Sequence, residues 1–196
     1  MLAGVSSQIG VEMRYLILSF LLLGAVTSTT LAQIGVYQTL ESFNAEVFTR
    51  SPDSETLWLN DDIRDQLSTI LNRTYGQLRI RYWRSGERTA WIFNEIGKER
   101  PITSAIAVDG GKIVHVSILE YRESRGGEVK LESFRRQFVD AQLTEKDKLT
   151  KKINGITGAT LSVKTLNRSA IAALKLHEIV MQNDRSEKNE DEISLR

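Results

Sequence analysis

The first legible pattern is an apolar run from Tyr15 to Val26, preceded by Arg14 and followed by small and hydroxylic residues through Thr30-Leu31-Ala32. A basic flank, a short apolar stretch and a small residue at its end are the parts of a secretory signal peptide. About a dozen residues are too few to span a bilayer, which takes roughly 20. The expectation is a signal peptide over 1–32, cleaved after Ala32, with an uncleaved anchor as the alternative. Met13-Arg14 would itself open a conventional leader, so Met13 is a candidate start. The segment 33–74 then reads as helical. Val36 to Phe48 carries apolar residues at loose helical spacing, Ser51-Pro52-Asp53-Ser54 breaks the chain, and Asn60 is a good N-cap. Behind it Ile63, Leu67, Ile70 and Leu71 form one face of an amphipathic helix.

From Leu78 the rhythm changes to a period of two. Leu78, Ile80 and Tyr82 alternate with arginines, which predicts a strand with one dry and one wet face. Ser85-Gly86 supplies a turn, and Thr89 to Ile96 returns as the partner strand. Ile102 to Val108 and Lys112 to Leu119 flank Asp109-Gly110-Gly111, a strong hairpin signal. Strict alternation in the last strand puts Val114, Val116 and Ile118 on one face, and Ile113, His115, Ser117 and Leu119 on the other. Tyr121 to Glu128, with paired glycines and charges, must be a loop. Ser133 to Phe138 reads as a short helix, Leu143 to Lys152 as a polar connector, and Ala159 to Met181 as the longest helix. Val163, Leu166, Ala170, Leu174 and His177 lie along its buried stripe. The charged, apolar-poor tail 183–196 is expected to be disordered. The fold class is therefore α+β: an antiparallel sheet of about four or more strands, packed helices and a long C-terminal helix.

Composition narrows the chemistry. The 196 residues, 41% hydrophobic, suffice for one domain with a real core. Twenty-six Lys and Arg against 25 Asp and Glu leave no global field, and no nucleic-acid partner is indicated. The absence of Cys excludes disulfides, thiolate catalysis and Cys-ligated clusters. His115 and His177, the two histidines, read as structural, and no metal site is expected. No GxGxxG fingerprint follows a strand, so a nicotinamide site of Rossmann type is not indicated. Redox chemistry here needs a borrowed cofactor.

The segment Asn154-Gly155-Ile156-Thr157-Gly158-Ala159-Thr160-Leu161-Ser162 opens the long helix with glycines and hydroxyls. The N–H groups of a first helical turn lack partners and the helix dipole favours negative charge there, so such a start can bind an anion. Small Gly158 and Ala159 leave the Thr160 hydroxyl with little steric cover. Those residues alone are equally those of a helix capped by Thr157 or Ser162.

This segment resembles the FMN-binding domains of the G subunit of Rnf complexes and the C subunit of the sodium-pumping NADH:quinone reductase. Their motif has the form Asp-x-x-Ser/Thr-Gly-Ala-Thr/Ser, matched here by Thr157, Gly158, Ala159 and Thr160, with Asn154 in place of the usual Asp. Two more stretches are similar to that family. Ile96-Gly97-Lys98-Glu99-Arg100-Pro101-Ile102-Thr103 precedes the hairpin, and Glu123-Ser124-Arg125-Gly126-Gly127-Glu128 follows it. The latter resembles the family's Glu-Thr-Pro-Gly-Leu-Gly, with Arg125 at the proline.

The resemblance spans roughly 75–182 and implies an FMN-binding domain with FMN as a phosphoester on Thr160. It implies maturation by a periplasmic flavin transferase that uses FAD, and electron exchange with a membrane reductase or cytochrome. Thr157, Gly158, Ala159, Leu161 and Ser162 would surround the attachment, while Glu123, Ser124 and Gly127 would face the flavin. Arg122 and Arg125 are candidates to balance the phosphate, and Trp91 and Tyr121 to stack on the ring. The expected role is an exported electron carrier rather than a stand-alone enzyme. The alternatives are a small FMN-dependent reductase and a flavin-free secreted domain of the same fold.

Overall fold

In the computed structural model, which describes residues 35–194, the alternating segments form one antiparallel sheet. Its strands are β1 (Gly35–Val36), β2 (Asp53–Trp58), β3 (Arg79–Ser85), β4 (Arg88–Ile96), β5 (Pro101–Asp109) and β6 (Lys112–Tyr121), in the spatial order β1-β6-β5-β4-β3-β2. The helices are α1 (Leu40–Val47), α2 (Asp61–Leu71), the short α3 (Glu132–Arg135) and α4 (Thr160–Ser194). The fold class is the α+β arrangement that the sequence predicts. The expected signal peptide lies outside the described residues. Among the described residues no helix is long and apolar enough to cross a membrane, and no cluster of His, Asp and Glu could hold a metal.

Turn chemistry sets the hairpins. Gly86 (φ +64°) joins β3 to β4, and Gly110 and Gly111 (φ +56° and +75°) join β5 to β6, a two-residue turn whose twist matches the strands it connects. Two elements depart from the sequence pattern. The segment 33–74 is not purely helical: Asp53–Trp58 is an edge strand paired along its length with β3. Leu57 is its one buried residue, so its strand character comes from ladder bonds rather than alternation. Leu78 stands outside β3 and is exposed, whereas Ile80 and Tyr82 are buried as expected.

Strand β6 breaks strict alternation twice, through register shifts against β5 at Ala107/Val108 and Thr103/Ser104. A bulge inserts one unpaired residue and reverses which face the following side chains meet. Ile113, Val116, Ile118 and Tyr121 consequently share the main core, while Val114 and Leu119 turn to the opposite face. The carbonyl of Leu119 then accepts N–H bonds from Tyr37 (2.8 Å) and Gln38 (3.3 Å), which ties β1 to the end of β6.

Both faces of the sheet are covered. On the main face α2 and α4 bury Ile63, Leu67, Leu166 and Leu174 against β4–β6, with Trp91 fully buried and stacked on Tyr82 at 4.6 Å. The face expected to be wet is dry over its middle. There Phe43, Val47 and Phe48 of α1 and its C-cap cover Ala90, Ala105, Ala107 and Leu119. The three alanines let α1 sit close to the strands.

The stripe Val163, Leu166, Ala170, Leu174 and His177 is buried as predicted. Helix α4 does not stop at Met181, however, but continues to Ser194 through the segment expected to be disordered. That segment is free of Gly and Pro and rich in Glu, Lys and Arg, all good helix formers. Asp184 anchors it through a two-pronged ion pair to Arg84 on β3.

His177 is a buried strut. Its Nε2 accepts the Gly111 N–H (3.3 Å), so Nδ1 carries the proton and donates to Thr89 Oγ1 (2.9 Å), which also accepts from Trp91 Nε1 (2.9 Å). Burial pushes the His177 pKa down, and Arg84 adds to this against the opposing pull of Asp109, Glu87 and Glu178. Half-buried His115 is likewise pushed down by burial. Both histidines thus occupy structural positions.

A histidine that titrates lower in the folded state than in the unfolded one destabilises the fold once the unfolded form gains its proton. Stability to urea should therefore be constant above the ordinary histidine pKa of 6.5 and fall as pH drops below it. His177→Gln should unfold at lower urea at neutral pH yet lose less on acidification, His115 supplying the remainder. An identical pH slope in the two proteins would remove His177 from this role.

Candidate functional site

Helix α4 begins behind a glycine in the left-handed region, Gly158 (φ +81°), with open space where a side chain would stand. Ala159 donates its N–H to Ile156 O (3.0 Å) and its own carbonyl takes the first helical bond, from Val163 N–H (3.0 Å). The N–H groups of Thr160, Leu161 and Ser162 therefore precede the first helical donor, Val163, and Ala159 has no side-chain oxygen to cap them. The alternative reading, a helix capped by Thr157 or Ser162, is not seen for Thr157, which the left-handed turn at Gly158 separates from the first helical turn. Thr157 and Thr160 are exposed, Leu161 is 46% exposed, and Ala159 and Ser162 are buried.

Two loops are fastened to this helix start. Gly126 (φ +80°) lies so close that an added Cβ would stand 2.7 Å from Ala159 Cβ and 3.0 Å from the Tyr121 hydroxyl. Only glycine satisfies both the backbone angle and the space. Tyr121, brought to the core face by the second bulge, donates its hydroxyl to Arg125 O (2.5 Å) and lies 3.4 Å from Ser162 Oγ. At the other end Thr165 Oγ1 donates to Ile96 O (2.9 Å), tying α4 to the end of β4.

Glu123 organises the second loop. Its Oε1 accepts the N–H groups of Lys98 (2.5 Å), Glu99 (2.7 Å) and Arg100 (2.9 Å), and the carboxylate is buried. A Cβ on Gly97 would stand 2.8 Å from that oxygen, so glycine is required there for close approach. Burial works to raise the Glu123 pKa. The three N–H donors and the charge of Lys98 outweigh it and hold the carboxyl below the usual range. Glu123 thus braces the 98–100 turn through Oε1 while lining the cavity that the three stretches share.

The three stretches of sequence converge on one cavity of about 450 Å³. Lys98 and Glu99 line it from one side, Glu123 to Arg125 from a second, and Gly158 to Ser162 from the third, with the Thr160 side chain on its wall. A neighbouring cavity of about 660 Å³, bounded by 124–128, Lys130, Leu131, Thr157 and Gly158, shares Ser124, Arg125 and Gly158 with it. Eight of the sequence's site residues line these cavities beside the brace Glu123: Thr157, Gly158, Ala159, Thr160, Leu161, Ser162, Ser124 and Gly127.

Others are placed elsewhere. Trp91 is fully buried and engaged with Tyr82 and Thr89, so it cannot stack on a ligand. Tyr121 is buried, with its hydroxyl committed to the loop. Arg122 pairs with Glu120 and Thr103. Asn154 is exposed and donates its backbone N–H to Gln137 Oε1 (2.8 Å). Lys130 and Leu131 line the second cavity but were not singled out by sequence, where a Lys after a loop carries no distinguishing signal.

A cofactor with a phosphate end and a flat ring system suits this donor set. Unpaired helical N–H groups and the cations Lys98 and Arg125 stand beside an exposed hydroxyl, and Gly158 leaves the route between the two cavities clear. Residues 97–175 match the model of a known family, described as the FMN-binding domain. The match takes in Gly97, the Glu123 loop and the Thr160 helix start. No curated protein matches the chain.

Removing the Glu123 carboxylate should leave three N–H groups without their acceptor. Glu123→Ala is expected to cost roughly 3 kcal/mol in urea unfolding, the scale of lost charge-assisted bonds at a buried position. Because the folded carboxyl titrates low, its stabilisation is present above the ordinary value of 4.5 and disappears as pH falls through the folded value. Glu123→Gln should flatten that acid limb. A Glu123→Ala protein as stable as the parent would show that the turn is held by other contacts.

Proposed function

We propose, from the membership of residues 97–175 in the FMN-binding domain family, that the protein is an exported electron carrier with FMN held covalently through a phosphoester on Thr160. The observation that carries this reading is exposed Thr160, set in an uncapped helix start and lining a cavity that two other loops bound. Flavin binding itself follows from the family; the covalent link, the export and the partners are the proposal.

Attachment is a group transfer from FAD assisted by a periplasmic flavin transferase. Thr160 Oγ bonds to the phosphorus on the FMN side of the pyrophosphate, the bridging P–O bond breaks, AMP leaves and the hydroxyl proton passes to the transferase or to solvent. The N–H groups of the first turn and the helix dipole would favour the negative charge of a phosphate carried on Thr160. Gly158 and Ala159 allow the transferase's active site to approach the backbone, and Thr157 lies exposed at the same rim. Ser124 and the backbone at Gly127 stand on the facing loop, held there by Glu123 and by Gly126 against Ala159.

Bound FMN supplies one- and two-electron chemistry that no side chain of this Cys-free chain provides. A covalent link suits a protein working outside the cytoplasm, where a dissociated flavin is lost by dilution. The apolar run Tyr15 to Val26 supports export, and the natural partners are a membrane reductase or cytochrome on one side and a second redox protein on the other.

Co-expressed with export and a flavin transferase, the protein should gain the mass of one FMN less water, mapped to Thr160, and fluoresce on a denaturing gel. Thr160→Val should lose the added mass while melting as the parent does, and Thr160→Ser should retain it. Asn154→Asp should raise the fraction modified if the family's carboxylate assists transfer. Unchanged flavin content in Thr160→Val would overturn the assignment.

A further inference from the structure

We propose that the end of the sheet left uncovered by α1 is the docking surface for an electron-transfer protein whose own contact surface is acidic around an apolar centre. That the partner exchanges electrons rests on the FMN reading above; the surface itself is read from the sheet.

The cover that α1 gives the second face ends at Ile92 and Ala105. Side chains two residues further along the strands share that face. On β4 these are Asn94 and then Ile96, and on β5 Thr103, opposite Asn94. Ile92 adjoins Trp91, which pairs with Tyr82, so Arg81 lies at its side. Arg79 follows on β3 and pairs with Trp58 of edge strand β2, while Thr103 leads through Glu120 of β6 to Val36 of β1. Trp58, Ile96 and Val36 are 67%, 66% and 66% exposed, the most exposed large apolar side chains among the described residues.

Three strands thus turn their most exposed apolar side chains to one face, a concentration that marks a contact surface. The charge there is of one sign. Arg79 and Arg81 take part in no ion pair among the described residues, and Arg79 lies over the Trp58 ring, 5.7 Å from its centroid. The carboxylate of the strip, Glu120, is already paired with Arg122. Two arginines beside a tryptophan therefore remain to be met by acids on a partner, and these are residue types that carry protein contacts. Asn94 and Thr103, bonded to each other (3.1 Å), stand between Trp58 and Val36. The apolar groups are islands in a polar strip, which suits a protein surface better than insertion into lipid.

Size points to a passing partner rather than a second copy. Six strands at a spacing of about 4.8 Å, taken over about 14 Å of β4, give on the order of 300 Å². That is well below the ~800 Å² per partner of a standing complex. Brief contact is what an electron carrier needs, since it must leave one partner to reach the next. The strip also abuts the site. Ile96 leads into the turn whose Lys98 and Glu99 line the Thr160 cavity, and its carbonyl accepts the Thr165 hydroxyl of α4 (2.9 Å). A protein seated on the strip therefore stands next to that wall of the cavity.

The test is stopped-flow oxidation of the FMN-loaded protein, with loading verified by intact mass, after chemical reduction. Plastocyanin is the acidic probe and a basic c-type cytochrome its counterpart. Each probe molecule takes one electron at its metal, so two are reduced per flavin as the ring gives up two electrons and its protons. The plastocyanin rate constant should fall roughly tenfold as salt is raised, the low end of electrostatic steering, and the cytochrome rate should rise. Arg79→Gln combined with Arg81→Gln should lower the plastocyanin rate roughly tenfold at low salt and flatten its salt dependence. Benzoquinone, small and uncharged, should oxidise parent and variant alike. Should the double variant fail to fold, Trp58→Ser is expected to slow plastocyanin at every salt concentration. Loaded double variant, or loaded Trp58→Ser in its place, reacting with plastocyanin as the parent does would overturn this inference alone, as would a parental plastocyanin rate that rises with salt. A dimer that Trp58→Ser dissociates in sedimentation, or binding to phosphatidylglycerol vesicles that the two arginines control, would assign the strip to a second copy or to lipid and overturn it equally. A parent protein that leaves the transferase without added mass fails the FMN reading and takes this inference with it.

Discussion

The site depends on one close contact, Gly126 lying against Ala159 where no side chain fits between them. That contact joins a loop leaving the sheet to the first turn of a helix some thirty residues later in the chain. The Glu123 carboxylate extends the joint to a third segment by gathering the N–H groups of Lys98, Glu99 and Arg100 onto a single oxygen. Helix start, loop and turn are thereby held around one cavity. The ionised state of Glu123 is part of the arrangement, since three donors converging on one oxygen favour the charged form.

The sheet brings these parts within reach. Two bulges in β6 rotate its last residues so that Tyr121 faces the helix start instead of the opposite side. From there its hydroxyl reaches Arg125 O and lies beside Ser162. Without the second bulge the loop would leave the sheet with Glu120 facing the core. The middle of α4 is held independently, by His177 against the β5–β6 turn and by Asp184 on Arg84. The helix is thus held near its start and again at Asp184, and its uncapped first turn is presented on a rigid scaffold.

Stability and binding are separated in space. The large apolar residues, the Trp91–Tyr82 stack and the buried histidine lie in the main core and leave the cavities to glycines, hydroxyls and charges. This explains why aromatic residues suggested as ring-stacking partners proved to be core. In a sheet with helices on both faces, a Trp at the centre of β4 has nowhere to go but inward. The groups that line the site come instead from turns and helix termini, where backbone donors are unpaired and side chains short.

Local pattern was enough to determine the paired strands β3 to β6, the glycine turns, α2 and the buried stripe of α4, because each is written in a period of two or 3.6 and in residues with few backbone options. The motif segments were legible for the same reason: Gly97, Gly126 and Gly158 stand where a special angle or a close approach is needed. Only tertiary structure decided the rest. Edge strand β2 exists through its partner, the lid of α1 through three alanines on two neighbouring strands, and the reversed face of β6 through bulges that leave no mark in alternation. The helical tail past Met181 is secured by an arginine a hundred residues earlier in the chain. The convergence of the three motif stretches and the bracing role of Glu123 are likewise contacts between residues distant in sequence. Periodicity records what a segment does with its neighbours; it carries no information about which other segment it will meet.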